Sequence, residues 1–275
     1  VKLNNGSHTY IMDRLRGVSS TTTSSGPYIL GSSTTDEAGS TYTRKWDNNG
    51  YQISSALQNH TDSIYWNWAR AKGYFDMVAY SGTGSGAQNV THNLGVVPEM
   101  MWIKVRSDQD NWVVYHSAVG NTKRLMLNSS DGPSSANSIF FNNTTPTSSV
   151  FTAGSLINAS HTYIAHLFAT VAGVSKVGSY TGNSSSTQDI DCGFTNGAKM
   201  VILKQLNDSH NWYVYDTTRG ISSGNDPYYF FNANQAENDQ TDSIDPDSSG
   251  FAVNYANTNS NGDSYIFYAI ATDPS

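Results

Sequence analysis

The chain writes one phrase twice: "DQDNWVVYHSAVG" runs from Asp108 to Gly120, and "DSHNWYVYDTTRG" from Asp208 to Gly220. With no gap, Met100, Lys104, Trp112 and Gly120 fall opposite Met200, Lys204, Trp212 and Gly220. Tyr80-Ser-Gly82 likewise meets Tyr180-Thr-Gly182, Phe151 meets Phe251, and Tyr163-Ile164 meets Tyr265-Ile266 after a short slip. A period of about a hundred residues is too long for a solenoid, whose units run to roughly 20–50, and matches one β-sandwich domain.

The repeat predicts a division into residues 75–173 and 174–275, with 1–74 as a partial third copy. "YIMDRLRG" (Tyr10 to Gly17) echoes "YVYDTTRG" (Tyr213 to Gly220), "DNNGYQI" (Asp47 to Ile53) echoes "DSSGFAV" (Asp247 to Val253), and "TDSIYWNWA" (Thr61 to Ala69) echoes "GDSYIFYAI" (Gly262 to Ile270). These are all second-half elements. The opening strand and the lysine-bearing strand are expected to be absent from 1–74: either another segment or chain donates them, or the sequence is a fragment of something longer, the reading favoured because half a sandwich leaves bare strand edges.

Composition selects the fold class. Hydrophobic residues make up 37% and charged residues 13%, and Gly, Ser, Thr, Asn, Tyr and Trp fill the difference. Aromatic residues favour strands, the small polar ones favour turns, and no sustained 3.6-residue apolar stripe appears. The expectation is an all-β chain of tandem antiparallel β-sandwich, jelly-roll-like domains. Within one unit, alternation places strands at Glu99–Ser107, Asn111–Ser117, Arg124–Asn128, Ser138–Asn142, Ser149–Gly154 and His161–Thr170. Trp112 and Trp212 then sit inside strands as paired core anchors.

Charge and cysteine content exclude several classes. The net charge of −7 comes with no basic run, so a nucleic-acid partner is not expected. No apolar stretch approaches the length of a membrane span. Cys192 is the sole cysteine, which rules out an internal disulfide and a thiolate zinc site. No cofactor is expected.

The remaining candidates for chemistry are scattered. "GTGSGAQ" (Gly82 to Gln88) lacks the Lys-Ser/Thr of a phosphate loop and reads as a turn. His92, His116, His161 and His166 read as surface or turn histidines, since Cys192, Asp216 and Tyr268 stand where His92, His116 and His166 would recur. Asp239, Asp242, Asp245 and Asp247 are the candidate calcium ligands. They do not make an EF-hand, because Ala256 stands where its bidentate Glu is required, and a solvated acidic loop is the other reading. Trp66 and Trp68 share one strand face. They form a sugar-stacking platform if that face is exposed, and core if it packs inward.

The stretch Gly73 to His116 resembles a repeat domain of marine bacteriophage proteins, cyanophages above all, where it occurs in tandem in tail-fibre-like or virion appendage proteins. The residues that carry the resemblance are Phe75-Asp76, Tyr80-x-Gly82, His92-Asn93-Leu94-Gly95, Pro98-Glu99-Met100, Lys104 and Trp112. Residues 174–275 follow it along their length but read "CGFTNGAKM" (Cys192 to Met200) at the histidine turn, and 1–74 match only in the second half. The resemblance implies location and role rather than chemistry: a structural module, extracellular in the virion, strung out in tandem, with other virion proteins or copies of itself as partners in a homo-oligomer. The alternative is a carbohydrate-binding, lectin-like module or bacterial surface adhesin for host polysaccharide. No acid pair recurs between units, so no enzyme is expected.

Overall fold

The computed structural model describes residues 2–3, 8–16, 26–40, 43–47, 50–53 and 63–273. Gly17, Asn48, Asn49, Thr61 and Asp62 of the matched phrases lie outside them. The central strands show why the sequence folds as sheets. All six residues of Met100–Val105 are buried, which requires cover on both faces. Met100 and Trp102 enter one core, while Met101, Ile103 and Val105 enter another.

The antiparallel all-β architecture follows. In the second unit the main sheet runs in the order Ser134–Ser135, Lys123–Met126, Val113–His116, Met100–Val105, Thr162–Phe168, Phe75–Ser81. The third unit runs in the same order, Tyr228–Phe230, Tyr213–Asp216, Ala198–Gln205, Ser264–Ala271, Ser175–Thr181. A smaller sheet packs on the outer face of each: Gln88–Thr91 with Val150–Ala153, and Gln188–Asp191 with Gly250–Val253 and Ile244–Asp247.

The first unit retains Tyr10–Ile11, Gly26–Leu30 and Ala38–Ser40 as one sheet and Thr43–Asp47 with Gly50–Ile53 as another. The end of its lysine-bearing strand is present, contrary to expectation. Lys2 pairs with Ile64 as Lys104 pairs with Ile164 and Lys204 with Ile266. Among the described residues of 1–74, no strand takes the place of Phe75–Ser81.

Two local expectations are corrected. Ser138–Asn142 is not a strand: Asn137–Phe141 forms one short helix, closed by Asn142 in the left-handed region at φ 51°. The adjacent Phe140 and Phe141 are both buried, which a half-covered strand would not allow. Trp112 and Trp212 each stand one residue ahead of a strand rather than inside it. The opening strands, for which alternation set no bounds, run Phe75–Ser81 and Ser175–Thr181.

The larger correction concerns the strung-out arrangement. One core joins all three units: Ile29 from the first, Phe75, Trp102, Trp112, Leu127 and Phe168 from the second, and Trp212, Phe231, Ile266 and Tyr268 from the third. The chain exposes 11467 Å², against about 11,700 Å² expected for a single compact body of this mass. Separate domains in a row would expose more.

The outer cores show how one design absorbs sequence change. Val78 faces Ala165 in the second unit, and at the same register Gly178 faces Phe267. A Cβ on Gly178 would collide with the Phe267 ring, so the large residue has changed sides. Gly178→Val alone should destabilise by about 1–3 kcal/mol and Phe267→Ala alone by about 3–5 kcal/mol. The double variant, which rebuilds the Val78–Ala165 pair, should recover at least ~1 kcal/mol of their sum in urea unfolding. Strict additivity would contradict this packing.

Candidate functional site

The residues that recur between units converge on the joints between them. Asn111 and Trp112 form the first. Trp112 N–H donates to Asn128 Oδ1 at 2.8 Å, and Asn128 Nδ2 donates to Asn111 Oδ1 at 2.8 Å. Trp212, Asn232 and Asn211 repeat the arrangement at 2.8 and 2.7 Å. Held this way, the indole crosses into the preceding unit. Trp112 Nε1 donates to Leu30 O at 2.8 Å, and Trp212 Nε1 to Met126 O at 3.0 Å. In the first unit Thr9 takes the tryptophan position, since Gly31 N donates to Thr9 O as Leu127 N does to Trp112 O and Phe231 N to Trp212 O. Thr9 Oγ1 lies 3.5 Å from Phe231 O, which closes the cycle from first unit to third. The residues beside these anchors, Gly31, Leu127 and Phe231, differ in size, and the Phe231 ring fills the space that a Cβ on Gly31 would enter, 2.5 Å away.

Lysine makes a second contact at each joint. Lys104 and Lys204 are fully buried. Lys104 Nζ donates to Val105 O at 2.9 Å and across the joint to Thr34 O at 3.3 Å. Lys204 Nζ donates to His210 O at 2.6 Å and across to Ser130 O at 2.9 Å. Burial pushes both amines down to about 8, so they remain charged at neutral pH and the carbonyl dipoles offset the cost of desolvation. Arg106 adds an ion pair to Glu37 of the first unit, 2.8 Å from Nε to Oε2.

Polar side chains also meet across the joints, at positions whose residue types change. Asp13 of the first unit binds Arg16 and lies 3.9 Å from His166 of the second. Asp216 of the third binds Arg219 and accepts from Trp66 Nε1 of the first at 3.2 Å. His116 of the second takes the aspartate's place: its Nδ1 accepts Ala118 N–H at 3.2 Å, as Asp216 Oδ1 accepts Thr218 N–H at 3.1 Å. Its Nε2 lies near Phe267 O of the third without reaching hydrogen-bond geometry.

The histidine reading is therefore corrected. His116 and His166 are buried in the joints, and His92 is buried in its turn, where Nε2 meets Thr147 O at 3.1 Å and Nδ1 accepts Leu94 N–H at 3.3 Å. Of these four only His161 is half-exposed, 3.5 Å from Ser107 Oγ and 3.4 Å from Asp108 Oδ2. That Ser-His-Asp grouping resembles a nucleophile with its base. However, Ser107 Oγ accepts Thr162 N–H at 3.0 Å, and Asn207 does the same for Ser264 in the third unit, so the hydroxyl caps a turn. Cys192 is buried and its thiol pushed up to about 12, away from the thiolate range of a nucleophile.

Trp66 and Trp68 pack inward. Trp66 stands edge-on to Tyr229 with Arg219 over its ring, and Trp68 stands edge-on to Trp102 and Phe168. The four aspartates do not converge. Asp239 and Asp242 are exposed, Asp245 and Asp247 half-buried. Asp242 and Asp245 share Asn254 Nδ2 at 2.6 and 2.9 Å, while Asp247 caps Ser249. No group of three metal-ligating side chains occurs among the described residues.

Sequence reasoning missed Asn158 and Asn259, whose signal was their position before the closing strand of each unit, in register but for a one-residue slip. Asn158 Oδ1 accepts Thr83 N–H at 2.9 Å and Asn259 Oδ1 accepts Asn183 N–H at 2.8 Å. Each clamps a loop whose glycine, Gly82 or Gly182, lies against a carbonyl that leaves no room for a Cβ. The glycine-rich stretch is thus a packed turn.

Over residues 2–274 the chain matches the family described as a domain of unknown function, DUF7483, and it belongs to that family. No curated protein and no solved structure matches it.

The joints carry a pH signature. Burial holds both His116 and His166 down to about 4, whereas the unfolded chain titrates near 6.5. Stability is full above about pH 6.5 and falls as the pH drops towards 4, because only the unfolded chain takes up these protons. Each histidine should cost on the order of 3 kcal/mol by pH 4. The urea midpoint should fall over that window, and His116→Gln with His166→Gln should flatten the fall. An unchanged slope in the double variant would contradict the assignment.

Proposed function

We propose that the chain is a non-enzymatic structural module of a bacteriophage virion, a tail-fibre or appendage piece that contacts a host surface or a neighbouring virion protein. The observation that carries this reading is the fate of the recurring residues. Asn111/Asn211, Trp112/Trp212 and Lys104/Lys204 all build joints. The side chains with chemical potential do not recur: His92 gives way to Cys192, His116 to Asp216 and His166 to Tyr268. A chain that keeps its fasteners and varies its titratable groups is built to hold a shape. The resemblance of Gly73 to His116 to phage appendage repeats supports the location.

The shape is a block rather than a string, so repetition within this chain gives rigidity, and several blocks would be needed for reach or multivalency. The glycan-binding alternative loses its platform, since Trp66 and Trp68 face other aromatic rings.

Two measurements test the proposal. Host envelope polysaccharide incubated with the protein should keep its chain length; cleavage abolished by a single Asp or Glu substitution would overturn the non-enzymatic reading. Mass spectrometry of purified virions from the encoding genome should detect the chain at structural-protein levels, and its absence from virions would overturn the location.

A further inference from the structure

The joints differ in where they carry charge. Gly31, Leu127 and Phe231 take the same place in the three units. Six positions on stand Glu37, Pro133 and Glu237, and four positions back Pro27, Lys123 and Pro227. Just ahead of the matched glycines Gly17, Gly120 and Gly220 stand Arg16, Val119 and Arg219. Between the first and second units Glu37 accepts from Arg106 Nε at 2.8 Å and Nη2 at 3.0 Å, and lies 3.7 Å from Arg16. In the third unit Arg219 lies 3.7 Å from Glu237.

Between the second and third units these ion pairs are gone. Val119, Pro133 and Leu206 stand where Arg16, Glu37 and Arg106 meet in the first joint, and they line an open cleft of about 300 Å³. Lys123, Asn207 and Ser264 complete its wall. Lys123 is exposed and, among the described residues, makes no ion pair. A hydrogen bond is lost with the charges. Glu37 N–H donates to Arg106 O at 2.9 Å across the first joint. Pro133 has no N–H, and Leu206 O, which matches Arg106 O, receives no hydrogen bond among the described residues. The cleft therefore presents a cation without its carboxylate, a carbonyl without its donor, and apolar surface between them.

We propose that this cleft binds a hexuronic acid residue of an acidic polysaccharide. The sugar carboxylate takes the place of the missing glutamate and pairs with Lys123. A sugar hydroxyl donates to Leu206 O, and the C–H face of the ring lies on Val119 and Pro133. The volume is at the small end of ligand sites, which suits one sugar residue of a longer chain. A neutral sugar brings nothing for Lys123, and an Asp or Glu side chain carries no hydroxyl beside its carboxylate for Leu206 O. The proposal rests on the reading of this chain as a module that meets a host surface, and it uses neither Trp66 nor Trp68.

The probe is trigalacturonic acid, titrated by calorimetry into the 275-residue protein. The expected result is saturable one-to-one binding with a Kd at or below about 1 mM, weakened by added salt. Lys123→Gln, at an exposed side chain, weakens binding at least about tenfold and leaves the melting temperature in place. Pro133→Glu with Leu206→Arg rebuilds the ion pair of the first joint inside the cleft, and binding is lost although Lys123 remains. The methyl ester of the sugar, and a blocked triglutamate peptide, bind at least about tenfold more weakly than the acid. No saturable binding up to about 5 mM sugar, or equal binding by Lys123→Gln or by triglutamate, would overturn the proposal. Such a failure leaves the virion reading standing, because detection of the chain in purified virions tests that reading separately.

Discussion

An indole N–H that crosses from one unit to the carbonyl of the one before is the contact on which this fold turns. Trp112 reaches Leu30 and Trp212 reaches Met126. A buried indole N–H favours an acceptor, and Trp112 and Trp212 each take theirs from the main chain of the neighbouring unit. The tryptophan can be buried with its hydrogen bond intact only if the neighbouring unit is docked. This couples the folding of each unit to its neighbour, and Thr9 against Phe231 extends the coupling around the cycle.

The buried lysines follow the same logic with a charge. An ammonium group removed from water needs close acceptors, and Lys104 and Lys204 each draw one from across the joint. Around these fixed points the sequence is free to vary if volume is kept. Phe231 over Gly31 and Phe267 over Gly178 are two such exchanges, one at a joint and one inside a unit. Both explain how three unequal sequences make a repeating structure.

Much of this was legible. The Asn-Trp phrase marked Trp112 and Trp212 as buried anchors, and aromatic alternation marked the sheets. The cyclic arrangement was not legible: a repeat fixes what each unit looks like and carries no statement of how units meet. For that reason His116 and His166 read as surface residues, although each faces a different residue type in another unit. The helix at Asn137–Phe141 was hidden for another reason. A run such as Ser-Ile-Phe-Phe-Asn is too short for periodicity to separate helix from strand, and Asn142 in the left-handed region tips the balance. Trp66 and Trp68 were candidates for sugar stacking because their spacing puts them on one face, and the shared core took that face.

The central claim is that three units close around one core, and small-angle X-ray scattering of the 275-residue protein tests it most directly. A single compact body of this length has a radius of gyration of about 19 Å. The account predicts that value, with a symmetric, bell-shaped distance distribution. A radius well above about 25 Å, with a distribution tailing to long distances, would mean units strung in a row and would contradict the shared core.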